Sequence, residues 1–265
     1  MGTFVLVHGP WHGGWCWERV APLLRAPGHR VEVPDLPGHG LDQTPPSEIS
    51  LRSYVDAVVR VVTEQLEPVV LVGHTKPGAV ISEVAEKCPG LIAVLVYLAA
   101  YLLRRGETIS DVGLTDQESL LVPNLVTYPT QSLITVRPEA LRDVFYHDCD
   151  PATVAAATAR IGPEPVPPIT TPIRITPEHY GRVRRVYIET LQNRALGLAL
   201  QRRMRAELPC EHVHSLDTGH TPFLSAPDAL ATCLLQTEAS GVRRQASGVT
   251  KGVHRRVTKV ECGAP

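Results

Sequence analysis

Short runs of apolar and β-branched residues alternate along most of the chain with segments whose apolar positions recur every three or four residues. The first kind comprises Phe4–Val7, Val31–Val33, Val69–Val72, Ala93–Leu98, Val183–Ile188 and His212–Leu216, and predicts strands. The second comprises Trp15–Arg25, Leu51–Leu66, Gly78–Lys87, Ala195–Arg205 and Ala226–Leu235, and predicts helices with one buried face. Strand and helix in this alternation predict an α/β fold: a mainly parallel six-stranded sheet with helices on both faces. Ligands in such sheets bind beyond the carboxyl ends of the strands, so chemistry is expected in the loops that follow strands.

Two stretches interrupt the rhythm. Residues 101–182 form an insertion with helical patches of its own and a Pro-dense segment from Pro163 to Pro177, which leaves 1–100 and 183–238 as the core. Residues 239–265 are broken by Gly and Ser and locally basic through Arg243, Arg244, Lys251, Arg255, Arg256 and Lys259. This tail reads as a solvated, flexible end rather than as a binding arm.

Composition narrows the function classes. With 43% hydrophobic residues, 20% charged residues and a net charge of −1, the chain resembles an ordinary globular domain, and it lacks the basic excess that neutralises nucleic-acid phosphates. The longest apolar run, Leu91 to Leu103, is shorter than the roughly 20 residues of a membrane helix. Met1 leads directly into the strand-like TFVLV, with no room for a signal peptide, so a cytoplasmic location is expected. The six cysteines (Cys16, Cys88, Cys149, Cys210, Cys233 and Cys262) show no metal spacing and read as reduced. None of the eleven histidines belongs to an H-E-x-x-H motif, and no glycine-rich nucleotide cradle is present, so neither metal nor cofactor is expected. The expected partner is a small-molecule substrate, with a homodimer left open.

The chemistry-bearing residues follow strands. VVLVG runs into His74-Thr75-Lys76-Pro77-Gly78 and then a helix, the setting of the nucleophile elbow G-x-S-x-G with threonine for serine. Downstream come RRVYIETLQN, ending at Asn193, and LDTGHTPFLSAP, carrying His220. Nucleophile, acid position and histidine in that order is the arrangement of α/β-hydrolases.

The sequence resembles the small α/β-hydrolases of the plant methyl esterase and hydroxynitrile lyase group and their bacterial relatives, from about Thr3 to Leu235. VLVHGPWHGGWCW (Val5–Trp17) matches the first strand and oxyanion loop, PDLPGHG (Pro34–Gly40) the end of the second strand, and VGHTKPG (Val72–Gly78) the elbow, with FLSAP behind the histidine. The resemblance implies an α/β-hydrolase fold in which 101–182 is a helical cap over a pocket for small, often aromatic or carbonyl-containing ligands. Onto the triad it places Thr75, Asn193 and His220. Onto the oxyanion and substrate wall it places Gly9, Pro10, Trp11 and Lys76.

The departures bear on the reaction. Threonine adds a methyl to a strained turn. Asn193 holds an imidazole but carries no charge to offset the imidazolium, a change costing about 10⁴ in a serine protease. The resemblance implies oxyanion donors at Lys76 and at residue 10, where proline has no N–H. Pro77 disfavours helical backbone at Lys76, which would misaim the surviving donor. Glu189, Asp217 and Glu107 are the alternative carboxylates for His220. His8 and His12 read as loop-bonding residues, Trp15 and Trp17 as packing, and Asp35 and His39 as local turn-fixing groups.

Three readings stay open. In the one the departures favour, His220 shuttles a proton in a lyase, cyclase or isomerase step on a carbonyl or aromatic polyketide-like compound, while Thr75 and Lys76 position it. Cyanohydrin cleavage is disfavoured because Thr221 stands where those lyases have lysine. The second reading is a weak esterase with Thr75 as nucleophile. The third is an inactive binding protein.

Overall fold

The computed structural model describes residues 1–248; Cys262 and the basic residues from Lys251 onward lie outside the described residues. In chain order the elements are β1 (Thr3–Val7), α1 (Val20–Arg25), β2 (Arg30–Glu32), α2 (Leu51–Thr63), β3 (Val69–His74), α3 (Pro77–Lys87) and β4 (Ile92–Leu98). The insertion follows with α4 (Ile109–Gly113), β5 (Leu125–Tyr128), β6 (Leu133–Val136), α5 (Leu141–Phe145), α6 (Pro151–Thr158), β7 (Glu164–Pro165) and α7 (Pro167–Thr170). The chain then returns through β8 (Arg185–Thr190), α8 (Leu198–Glu207), β9 (His212–Leu216), α9 (Pro222–Ser225) and α10 (Pro227–Gly248).

Six strands form one sheet in the order β2-β1-β3-β4-β8-β9, every neighbouring pair parallel, as the alternation predicts. Every residue of β1 and β3 is buried, the reason both read as unbroken apolar runs. From β1 the chain steps outward to β2 and then back across to β3, so the order reverses between β1 and β3. The loops leaving those two strands part there and open a crevice at the sheet's carboxyl edge. Those loops carry Gly9-Pro10-Trp11 and Thr75-Lys76.

Three expectations change. The insertion is not purely helical: β5, β6 and β7 make a three-stranded antiparallel sheet, from runs too short to stand out in the sequence. The predicted helix at Ala195 starts only at Leu198, because Gly197 at ψ 148 is not helical and caps it, while the Asn193 side chain takes the N–H groups of Ala195 and Leu196, both at 2.9 Å. The last helix continues to Gly248, so the first part of the expected flexible tail is helical. Among the described residues no helix is long and apolar enough to cross a membrane.

Gly78, the second residue of α3, lets that helix press on the chain after β4. A Cβ there would lie 2.1 Å from the Tyr101 carbonyl oxygen and 3.0 Å from its backbone N, and backbone cannot rotate away. Gly78→Ala is therefore expected to destabilise by roughly 1–3 kcal/mol, in the range of core overpacking. At about 2–4 °C per kcal/mol for a domain of this size, a thermal melt resolves the loss.

Candidate active site

Thr75 adopts φ 55, the left-handed region that β-branched residues avoid. Such strain costs on the order of 1–3 kcal/mol and persists only where neighbours over-determine it. Here the Thr75 N–H donates to Leu98 O (3.2 Å), while its carbonyl accepts from Gly78 N (3.1 Å) and Tyr101 N (3.0 Å). The elbow is thus intact with threonine in it. The methyl that distinguishes threonine from serine lies toward Gly9, where an added Cβ would come within 2.7 Å of Thr75 Cγ2 and 2.5 Å of His74 Nδ1. Only glycine fits at position 9.

Lys76 has φ −58 and ψ −40, helical values, so Pro77 does not displace it as expected. Proline at the first helical position has no donor to lose, and the Ala79 N–H to Lys76 O bond at 2.9 Å closes the turn regardless. The Lys76 N–H therefore keeps its place at the start of α3. Pro10, where the resemblance would put a second oxyanion donor, has no N–H. The next N–H, that of Trp11, is already given to Glu164 Oε2 at 3.2 Å.

His220 follows β9. Its loop is tied to the insertion by Gly219 N to Asp148 Oδ2 (2.7 Å) and Thr221 Oγ1 to Phe145 O (2.8 Å). Its Nδ1–H donates to Asn193 Oδ1 at 3.1 Å. That oxygen also accepts the Ala195 and Leu196 N–H groups, while Nδ2 donates to Thr190 Oγ1 at 2.9 Å, so the amide cannot be turned over. The tautomer follows: the proton is on Nδ1 and the lone pair on Nε2. Burial, followed by the neighbouring His12, lowers the His220 pKa to about 3, so the ring is neutral near pH 7. The sheet side is closed by His74, whose Nε2 donates to the His220 carbonyl oxygen at 2.9 Å. Among the described residues Thr75 Oγ1 and His220 Nε2 make no hydrogen bond, which is common before substrate tightens such a site.

The loop histidines behave as expected. His8 Nδ1 donates to Gly9 O (2.9 Å) and Nε2 accepts from Leu36 N (3.0 Å), leaving it neutral with a pKa lowered to about 3 by burial. His12 donates to Pro10 O (2.8 Å) and accepts from the Tyr146 hydroxyl (2.9 Å). Asp35 fixes the loops through Gly14 N (2.6 Å) and Leu41 N (2.9 Å). Trp17 packs on Phe223, and Trp15 stacks on His12.

His39 does more than fix its turn. Nδ1 donates to Pro37 O (3.1 Å) and Nε2 to Glu164 Oε2 (2.8 Å). Both oxygens favour a protonated, cationic ring, although the Tyr54 hydroxyl also lies 3.4 Å from Nδ1. Burial opposes this, but the Glu164 carboxylate outweighs it and raises the His39 pKa. Glu164 comes from β7 of the insertion and is almost wholly buried. Burial would raise its pKa, but Lys76 and His39 together hold it below the ordinary value. Lys76 is only 8% exposed. Its Nζ stands 4.2 Å from the centre of the Trp11 ring and has no hydrogen-bond acceptor. Burial lowers its pKa to about 8, against the pull of Glu164. Trp11 anchors the wall, its indole N–H donating to Ile134 O at 3.1 Å.

Gly9, Pro10, His39, Tyr54, Lys76 and Glu164 border a hollow of about 10 Å³, space for about one water, whose lining does not include Thr75, Asn193 or His220. A larger groove of about 610 Å³ borders Trp15, Trp17, Asp35 and Arg160 but contains none of the triad positions.

The alternative carboxylates face elsewhere. Glu189 binds Arg202, Arg205 and Ser215, Asp217 accepts from Gln192, and Glu107 binds Arg104. Asn193 alone stands behind the imidazole. Glu164 and Tyr146 join this constellation through His39 and His12, and the sequence did not announce either. Glu164 is a lone acid in a proline-dense segment, and no spacing ties it to His39, which is 125 residues away. Among the described residues no group of three or more His, Cys, Asp or Glu side chains could hold a metal ion.

Comparison with known proteins agrees with this geometry. The sequence profile described as the alpha/beta hydrolase family matches residues 4–232. Methylesterase 18 of Arabidopsis thaliana is 31% identical over 258 residues, covering 89% of this chain and 97% of its own. The pyrethroid hydrolase of Sphingobium wenxiniae is 32% identical over 247 residues, covering 87% and 85%. The chain spans 63% and 55% of the length of two longer Arabidopsis thaliana chains of the methylesterase series. Among solved structures, a pyrethroid hydrolase from Sphingobium faniae JZ-2 superposes with a TM-score of 0.80 at 30% identity, over 89% of this chain and 96% of that one. Tomato methylketone synthase I, complexed with beta-ketoheptanoate, superposes with a TM-score of 0.78 at 28% identity, over 91% and 98%. A parallel sheet with a strained elbow after β3 and a histidine after β9, matched over nearly its whole described length, shows that this chain belongs to the alpha/beta hydrolase family.

Proposed function

We propose that this protein hydrolyses small carboxylic esters slowly, with Thr75 as nucleophile and His220 as base. The observation that carries the reading is the elbow: a β-branched residue held at φ 55, with its hydroxyl at the carboxyl edge of the sheet. Relatives named for methyl ester and pyrethroid hydrolysis add to it. They reverse the order suggested by the departures in the sequence, which put non-hydrolytic chemistry first. In the first step His220 Nε2 takes the Thr75 hydroxyl proton while Oγ1 attacks the ester carbonyl. The Lys76 N–H receives the oxyanion. His220 returns the proton to the departing alcohol. Water, deprotonated by His220, then splits the acyl-threonine and frees the acid.

A second reading is favoured by the uncharged Asn193 and by Pro10. Without a counter-ion for imidazolium or a second oxyanion donor, His220 suits a proton transfer that forms no tetrahedral oxyanion, such as a lyase or cyclase step. The neighbour bound to beta-ketoheptanoate extends the fold to keto acids. The discriminating experiment measures nitrophenol and methanol release from aryl and methyl esters. Turnover is expected, and Thr75→Ala is expected to reduce it to the buffer rate. Equal rates in the two proteins would remove the acyl-enzyme and leave the second reading.

A further inference from the structure

The wall beside the elbow gathers ionisable side chains around Lys76. His39 has its pKa raised by the Glu164 carboxylate, against the opposing effect of burial, and Lys76 adds an ammonium. Between them stands the Glu164 carboxylate, whose Oε2 accepts from His39 Nε2 and Trp11 N. Asp42, held below its ordinary pKa by Thr44, Gly38 and His39 against the opposing effect of burial, adds a second carboxylate near His39. Tyr54 on α2 is a phenol whose burial raises its pKa further, and Leu36, Leu51, Val80, Ile109 and Pro168 are apolar. His8 and His12 are neutral, each accepting at one nitrogen. The Lys76 ammonium is buried here without a hydrogen-bond acceptor, in surroundings where an unpaired charge is costly.

Lys76 is the group with capacity left. Its ammonium has three donors and uses none of them. The Trp11 face beneath it offers cation–π attraction but no acceptor. It is also the residue immediately after Thr75, and its side chain borders the hollow formed with Gly9 and Pro10. A four-carbon stem lets the head swing toward a ligand without moving the elbow.

We propose that Lys76 Nζ is a carboxylate-binding subsite, and that the preferred substrate carries a free carboxylate as well as the ester, as in the half-ester of a small dicarboxylic acid. The anion gives the Lys76 ammonium the acceptor it lacks and orients the ester over Thr75. The ester half of this inference rests on the hydrolase reading; the carboxylate half does not.

The test pairs monomethyl glutarate with dimethyl glutarate, which differ in the free carboxylate. The unmodified protein is expected to favour the half-ester in kcat/KM by roughly tenfold or more, in line with hydrogen bonds to charged groups. Lys76→Met is expected to lower that ratio by a similar factor, mainly through KM for the half-ester, whereas Lys76→Arg should retain part of it. Binding of glutarate, followed by calorimetry, is expected for the unmodified protein and should vanish in Lys76→Met. A preference for the diester, or a ratio that Lys76→Met leaves unmoved, overturns the subsite. If neither ester is cleaved, the hydrolase reading fails by itself. Glutarate binding lost in Lys76→Met then still upholds the subsite, and glutarate failing to bind the unmodified protein overturns it.

Discussion

Asn193→Asp is expected to raise ester hydrolysis by up to about 10⁴, the reverse of what the opposite exchange costs a serine protease. The site can receive the carboxylate. Asn193 Oδ1 already accepts from His220 Nδ1, Ala195 N and Leu196 N, and an aspartate oxygen takes those same donors. Its other oxygen replaces Nδ2 and accepts from the Thr190 hydroxyl, which reverses the direction of that bond. Four donors on one carboxylate keep it ionised although the residue is buried. The added charge acts on His220. Burial now holds the ring near a pKa of about 3, which makes it a weak base whose cation nothing stabilises. An adjacent carboxylate raises that value and makes proton uptake from Thr75 less costly.

The pH profile supplies the second readout. In the unmodified protein His220 stays in its base form down to about pH 3, so protonation of this ring produces no acid limb above that. In Asn193→Asp the raised pKa means that the base form is lost earlier as pH falls, and an acid limb appears at higher pH. A faster enzyme with that limb identifies His220 as the working base. An unchanged rate would show that proton transfer at His220 does not limit turnover.

Pro10→Ala is the second large gain expected, of about 10²–10³ in kcat, the value of one oxyanion donor. Proline removes the N–H where the family resemblance places the second donor, and Trp11 N cannot replace it while bound to Glu164. Alanine restores the donor without disturbing the loop, because the Pro10 group that His12 binds is the carbonyl, which alanine retains. The gain should appear in kcat with little change in KM, since the donor meets charge that exists only in the transition state. A change confined to KM would place residue 10 in ground-state binding instead. Combined with Asn193→Asp the two gains need not multiply, because both act on the same tetrahedral species.

Local pattern was sufficient for the framework. Buried parallel strands need apolar runs and their covering helices need a three-to-four spacing, so β1, β3, β4, α2 and α3 were legible from the side chains alone. The elbow was legible too, because a strand running straight into a tight turn and helix leaves a continuous signature at Val69–Gly78. Tertiary structure decided everything that depends on residues distant in sequence. It set Lys76 in helical backbone although the following proline argues against it. It aimed the Lys76 side chain inward and brought Glu164, from a segment without periodicity, onto His39 and Trp11. It also held the Asn193 amide in one orientation, and with it the tautomer of His220. The sequence thus determined the sheet, its connections and the positions at which chemistry can occur, since these follow from short-range spacing. The charge state and hydrogen-bond direction at those positions depend on burial and on partners far along the chain, which only the folded arrangement supplies.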